Sequence, residues 1–289
     1  PVDVGEAMEG AMKGLADGLD PESAYLTPEL VSRREANDSG GPAGIGLDLT
    51  RQYYLRIVSA RDDSPAARAG IRPGDFIRAI DNRPTRDMSA YEGERLLRGE
   101  PGSTVSLLII RGNAADPHQL DLVREATTGE DITSRMADAT TGYLRVVQFS
   151  ADMPSRIEQA ISAMAGRGAT GYIIDLRGTS MGDMDDGVAA ARLFVKDATL
   201  AIRLGREDER EPIVGEPTDG AITAPLALLV DSGTAGAAEV FAAAINGNDR
   251  AELFGTNTLG RASRQRLVKL PDQSGLWLTY LRYLTPDGD

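Results

Sequence analysis

The sequence predicts a mixed α/β protein: a short helical lead, a glycine-punctuated module of small strands, and a larger layer of alternating strands and helices. Three observations carry this expectation. Apolar residues recur at helical spacing from Glu6 to Leu19, until Asp20-Pro21-Glu22-Ser23 breaks the pattern. Short apolar strands separated by glycine turns fill residues 43–125. Apolar strands then lead through polar loops into helices over residues 126–289, the alternation of a parallel sheet.

Residues 1–36 read as helix, turn and helix, followed by the flexible passage Asn37 to Pro42. In the next module a strand begins at Gly44-Ile45-Gly46-Leu47-Asp48-Leu49 and another at Leu55-Arg56-Ile57-Val58. Ser64-Pro65-Ala66-Ala67-Arg68-Ala69-Gly70 reads as a one-turn helix closed by glycine, and Phe76 to Ile80 as a strand. Residues 88–98 form an amphipathic helix with Met88, Tyr91, Leu96 and Leu97 on its buried side. Strand Val105 to Ile110 closes the module, and a loop then carries His118. Farther on, the strands are Gly142–Val147, Thr170–Leu176 and Leu226–Val230, and the helices Pro154–Ala165, Asp185–Phe194 and Ala237–Ile245. In a parallel sheet, ligands and catalytic groups gather at the carboxyl ends of the strands, where Arg177 and Gly236 fall.

Composition narrows the chemistry. With 289 residues the chain suits one large domain or two ordinary ones. Contents of 41% hydrophobic and 26% charged residues fit a soluble globular protein. No apolar run approaches the roughly 20 residues needed to cross a bilayer. Pro1 in place of Met, with no basic-then-apolar leader, points to a trimmed chain whose signal peptide, if it had one, is gone. A formal charge of −13 argues against nucleic-acid partners and anionic membranes. The absence of cysteine removes thiol catalysis, disulfides and thiolate metal sites, and neither cofactor nor metal is expected. One histidine, His118, and three lysines, Lys13, Lys196 and Lys269, leave few groups able to activate a hydroxyl.

The module over 43–125 resembles a PDZ domain of the bacterial type. The likeness rests on Gly44-Ile45-Gly46-Leu47, on the run Ser64 to Asp75, and on Leu96-Leu97-Arg98-Gly99. Glycine loops of this kind offer successive backbone N–H groups to a peptide's terminal carboxylate, and the peptide adds as a strand at the sheet edge. Gly44, Ile45, Gly46 and Leu47 are thus the expected peptide-binding residues. Arg98 matches the family arginine that senses bound peptide; an exposed helix-end arginine is the equal alternative.

Nearly the whole chain is similar to the carboxy-terminal processing proteases of the S41 peptidase family. The shared runs are Gly10–Leu15, Leu19–Leu26, the PDZ module, Asp175-Leu176-Arg177 and Leu281–Gly288. This resemblance implies an N-terminal helical segment (1–36), a PDZ domain (43–125) and a protease-like α/β core (126–289). It also implies a serine nucleophile at a strand-to-helix elbow, a lysine base 25 residues later and a glutamine four beyond that. Here the elbow reads Gly233-Thr234-Ala235-Gly236-Ala237-Ala238-Glu239, so Gly236 stands in the nucleophile's place. Counting on gives Arg261 for the base and Gln265 for its support. After Arg177 the family's oxyanion-hole loop becomes Gly178-Thr179-Ser180-Met181-Gly182, with Met181 replacing a glycine; Gly182 and the Ala237 N–H remain there.

Each loss is chemically severe. Glycine has no side-chain atom to attack a carbonyl, and arginine, with a pKa above roughly 12, cannot accept a proton. Ser232, Thr234, Ser180 and Ser263 lie in the same loops as conceivable substitutes, and Lys269 is well along the next strand. His118 reads as a solvated loop residue. Asp175, Asp183, Asp185 and Asp186 lack the pattern of a calcium loop and read as structural, as does Glu239. Trp277 and Tyr280 read as sheet packing.

The expectation is therefore a pseudo-protease that holds protein C-terminal tails through its PDZ domain. It would act as adaptor or regulator of an active protease or cell-wall enzyme, in a bacterial periplasm or cell envelope by family analogy. Two alternatives stand beside it: an S41 endopeptidase using other groups, and a structural subunit of an envelope complex. A homodimer through the terminal segments, frequent in the family, stays open.

Overall fold

The computed structural model describes residues 4–111, 117–127 and 129–289. In chain order the elements are α1 (Val4–Asp17), β1 (Ala24–Leu26), α2 (Pro28–Glu35), β2 (Ala43–Gly44), β3 (Leu47–Gln52), β4 (Tyr54–Ala60), α3 (Pro65–Arg68), β5 (Phe76–Ile80), β6 (Arg83–Pro84), α4 (Ala90–Leu97), β7 (Thr104–Ile110), β8 (His118–Val123) and β9 (Glu125–Ala126). They continue with β10 (Ile132–Met136), β11 (Thr141–Val146), α5 (Met153–Ala165), β12 (Gly171–Asp175), α6 (Met184–Ala191), β13 (Thr199–Leu204), β14 (Arg210–Val214), β15 (Leu226–Val230), α7 (Ala237–Gly247), β16 (Glu252–Gly255), β17 (Ser263–Lys269) and β18 (Gly275–Leu284). The chain divides into two compact units. One contains the residues up to 128 together with Arg264–Tyr280; the other contains Gly129–Ser263 and Leu281–Asp289.

In the first unit an antiparallel sheet runs β3-β4-β5-β7-β8, with β6 paired to β5, so β3 is a terminal strand. Its inner face buries Leu49, Leu55, Ile57, Ile77, Ile80 and Leu107. The strand expected from Gly44 is broken in two by Gly46, whose φ is +78°. A Cβ there would lie 2.3 Å from the Ser64 Cβ, so only glycine fits. Ser64 caps α3 by accepting the Ala67 N–H at 3.2 Å, and Gly70 (φ +74°) ends the turn, as the local sequence predicts.

Three local expectations change. His118 does not sit in a loop: it opens β8, exposed and opposite Ile109, because pairing with β7 extends that far. Residues 112–116, which precede it, lie outside the described residues. The expected helix 88–98 is shorter, α4 beginning at Ala90 after the Ser89 cap; Met88, just before it, and Leu97 are buried, but Tyr91 turns away to a second cluster containing Ala24, Leu26, Val31 and Trp277. Ala24-Tyr25-Leu26, between the two expected helices, is extended because β18 supplies an antiparallel partner, Ala24 opposite Trp277.

The second unit holds a sheet ordered β10-β11-β12-β15-β16. Strands β11, β12, β15 and β16 are parallel; β10 is antiparallel at one edge. Helices α5, α6 and α7 contribute Ile157, Val188, Val240 and Phe241 to one continuous core. Phe241 meets Phe149 and Phe194 at ring-centroid distances of 5.6 and 5.9 Å. Also in this unit, β13 pairs with β14 and with the end of β18.

Candidate functional site

Strands β12 and β15 are parallel neighbours, so the loops that follow them emerge side by side. The Asp231 carboxylate joins these loops by accepting the Gly178 N–H at 2.8 Å and the Gly233 N–H at 2.9 Å. Thr234, fully buried, donates its hydroxyl to the Leu176 carbonyl at 2.9 Å. Ala235 N–H donates to the Thr179 carbonyl, also at 2.9 Å.

Gly236 follows as the N-cap of α7 with φ +59° and ψ −123°. An L-residue held in such a region costs about 1–3 kcal/mol, so the turn is strained for anything but glycine. A Cβ built here would meet the Met184 Cε at 3.2 Å, the Ser180 carbonyl oxygen at 3.3 Å and the Arg261 carbonyl oxygen at 3.9 Å. The methionine methyl ends a flexible side chain and can yield, but the Ser180 oxygen is backbone and must give by a few tenths of an ångström, so a serine enters here only with a small backbone shift on top of the strained φ.

Glu239 determines how the site is held. Its carboxylate, 8% exposed, accepts the Gly236 N–H at 3.0 Å, the Arg261 N–H at 2.8 Å and the Gly260 N–H. The structure thus brings Gly236 and Arg261 onto one buried carboxylate. Sequence reading took Glu239 as an ordinary structural acid. The available signal was its place three residues after the cap, from which a glutamate reaches back to the helix start; its reach to residues 260 and 261 has no local signature.

The loop after β12 is tied down from its other side. The Met181 carbonyl accepts the Phe149 N–H at 3.0 Å, and Met181 bridges to Gln148 in parallel pairing. Gly182 has φ +125°, and a Cβ would lie 2.5 Å from the Phe149 carbonyl oxygen. The Ala237 N–H, first in α7, has no intrahelical acceptor. At the base of this loop, burial raises the Asp175 carboxyl, but hydrogen bonds from Arg177 (3.0 and 2.6 Å) and the Tyr143 hydroxyl (2.7 Å) outweigh it. The carboxyl lies below its ordinary range. Burial and this carboxylate together push the Tyr143 phenol up. The same carboxylate, through its hydrogen bonds, raises the Arg177 guanidinium.

The other sequence candidates fall as follows. Gln265, on β17, belongs with the first unit, where its amide donates to Thr279 Oγ1 at 3.3 Å. Ser232 is exposed, Ser180 is buried, and Ser263 is half-buried at the start of β17. Lys269 pairs with Glu35. Asp183 caps α6, and Asp185 pairs with Arg203 at 3.0 Å and accepts the Tyr283 hydroxyl at 2.9 Å. Among the described residues no group of three or more His, Cys, Asp or Glu side chains is placed to hold a metal ion.

In the first unit Ala43 and Gly99 exchange backbone hydrogen bonds at 3.1 and 3.0 Å, which sets the Gly44–Leu47 loop against the end of α4. Ile45 is buried and its carbonyl accepts the Ala66 N–H; the Gly46 carbonyl accepts the Arg61 N–H at 2.8 Å. Leu47 then opens β3 at the sheet margin. Arg98 is exposed, and its Cγ lies 3.6 Å from where a Gly44 Cβ would be, so its stem borders the loop. Arg124, which sequence reading missed, is buried and donates to the Leu96 and Leu97 carbonyls at 2.9 and 3.2 Å, closing the C-terminus of α4.

The chain as a whole is similar to known proteins. Residues 140–289 match the peptidase family S41 and residues 56–111 match the PDZ domain. The carboxyl-terminal-processing protease of Synechocystis sp. is 31% identical over 92% of this chain and 64% of its own length. The carboxy-terminal processing protease CtpA of Bacillus subtilis is 30% identical over 98% of this chain and 61% of its own. The chain therefore spans somewhat less than two thirds of these relatives. The solved structure of a photosystem II D1 C-terminal processing protease superposes with a TM-score of 0.85 at 28% identity, covering all of this chain and 80% of that one. With the S41 match covering more than half of the chain, a PDZ match ahead of it, and one fold shared throughout with a processing protease, the chain belongs to the S41 peptidase family of PDZ-bearing carboxyl-terminal processing proteases.

Proposed function

We propose that this chain binds protein C-terminal tails through its PDZ module and does not cut them. One observation carries the reading: at the elbow held by Glu239 stands Gly236, which has no hydroxyl, and beside it stands Arg261, whose type of side chain takes up no proton at physiological pH. The three-part division, with the PDZ domain over 43–125 and the protease-like core from 126, belongs to this reading, as do the peptide-binding roles of Gly44, Ile45, Gly46, Leu47 and Arg98. So does the assignment of Gln265, Met181, Gly182 and Ala237 to a degenerate catalytic constellation. The chain then acts as an adaptor or regulator in a bacterial envelope, presenting tails to, or withholding them from, an active protease or cell-wall enzyme.

The test compares purified wild type with Gly236→Ser, Arg261→Lys and the double variant, incubated with unstructured tail peptides and followed by mass spectrometry. No cleavage by wild type, with cleavage gained by the double variant, is the expected result. Hydrolysis by wild type that survives repurification would sink the reading. It would favour instead the second one, an active endopeptidase, which is supported by the relatives' names as proteases.

A further inference from the structure

A peptide that adds to β3 bonds to the backbone of a strand paired on one side only. Such a margin frays, and any disorder must be removed when the peptide binds, which weakens binding. In the first unit β3 is buried on both faces. Leu47 and Leu49 face the core, while Asp48 and Thr50, on the other side, are 7% and 6% exposed. The outer face is held by Glu22, in the segment between α1 and β1: the Glu22 Oε1 accepts the Thr50 hydroxyl at 2.6 Å. The next residue, Arg51, opposite Leu55 on the other side of the strand, pairs with Asp17 at the end of α1.

That segment is itself rigidly held. The Asp20 carboxylate accepts the Glu22 N–H at 2.9 Å, the Ser23 N–H and Ser23 hydroxyl at 2.8 Å each, and the Thr279 hydroxyl at 3.1 Å. Ser23 Oγ in turn accepts the Thr279 N–H at 3.3 Å. The turn that ends the N-terminal helix is therefore fastened to β18 at one end and to β3 at the other.

We propose that Glu22 is a positioning residue for tail binding: through Thr50 it holds β3 in the geometry that receives the peptide, with Asp20 anchoring Glu22 in its turn. The inference rests on the tail-binding reading above. It adds that the affinity of the groove is set from outside the PDZ module, by a turn that touches no part of the peptide.

The experiment measures, on the whole chain, the Kd of a short unstructured peptide with an apolar, free C-terminus and of its amidated form. Glu22→Ala and Thr50→Val should each weaken the free-carboxylate peptide about three- to tenfold. Together they should weaken it no more than either alone, because both delete one shared contact. Glu22→Gln keeps an acceptor oxygen and should bind as wild type does. Thr50→Val, nearly isosteric, keeps the test intact if Glu22→Ala fails to fold, and thermal unfolding of every variant is recorded alongside. Unchanged affinity in the Thr50→Val protein, or additive losses in the pair, overturns the positioning role while leaving tail binding standing. A wild-type chain that binds neither peptide, or both equally, overturns both.

Discussion

Gly187 in α6 passes Ala237 in α7 so closely that a Cβ on the glycine would lie 2.2 Å from the Ala237 carbonyl oxygen. Because that oxygen belongs to the backbone, no side-chain rotation can make room. Gly187→Ala must part the two helices just beside the elbow. An expected loss of about 1–3 kcal/mol follows from overpacking of this kind, read as a lower urea midpoint with an unchanged slope.

Glu239 serves three backbone donors with two oxygens. Glu239→Gln replaces one oxygen by an amide that cannot accept, and also removes the charge that strengthens the remaining bonds. Stability should fall by about 2–3 kcal/mol. Amide exchange should rise at Gly236, Gly260 and Arg261 more than in the centre of β12. Exchange that stays equal in both places would show that the loops are held by something else.

Asp175 makes stability depend on acid. Its folded-state carboxyl is depressed by Arg177 and Tyr143 despite burial, so its contribution is complete above the ordinary aspartate value, about 3.9. It is lost as the pH falls through the folded value. Tyr143 acts at the other end: its phenol is raised, so the neutral form contributes up to the ordinary value near 10 and the contribution fades above that. Asp175→Asn should flatten the acid limb of a urea-midpoint-against-pH curve. An acid limb identical to wild type would remove Asp175 as its source.

Arg98 lies exposed beside the Gly44–Leu47 loop, so it can be changed without opening a cavity. Arg98→Ala should weaken a free-carboxylate tail about three- to tenfold, the range of a charge-assisted bond partly screened by water. The amidated peptide should be unaffected, and stability should stay within about 0.5 kcal/mol of wild type. Equal weakening of both peptides would show that the arginine does not read the carboxylate.

Arg124 takes up the carbonyls at the end of α4. Arg124→Met keeps the apolar stem but leaves those buried acceptors unmet, at a cost of about 1–3 kcal/mol. Arg124→Lys, lacking the planar fork, should recover only part of it. Full recovery by lysine would mean that the charge alone matters.

Much of this molecule could be read directly because its signals are local. Ser64 and Gly70 bound α3 as a cap and a stop do anywhere, and the apolar run of β12 is buried between parallel neighbours on both sides. Helix periodicity misjudged Tyr91, which is apolar enough for the core but has a partner in Trp277 across the Arg34 guanidinium, 3.6 Å from the Trp277 ring and 5.2 Å from the Tyr91 ring. The strand at Ala24–Leu26 was missed for a similar reason: its pairing partner is about 250 residues away, and three residues have no period of their own.

That Gly236 carries no hydroxyl and Arg261 carries a guanidinium are covalent facts, legible in a line of letters because no folding can supply an atom the chain lacks. Which donors Glu239 serves, which carbonyls Arg124 closes and which strand Glu22 holds are different matters. Each joins groups some 20 to 30 positions apart. A buried polar group takes its partners from whatever packing brings within about 3 Å, and that choice exists only once the layers have closed around it.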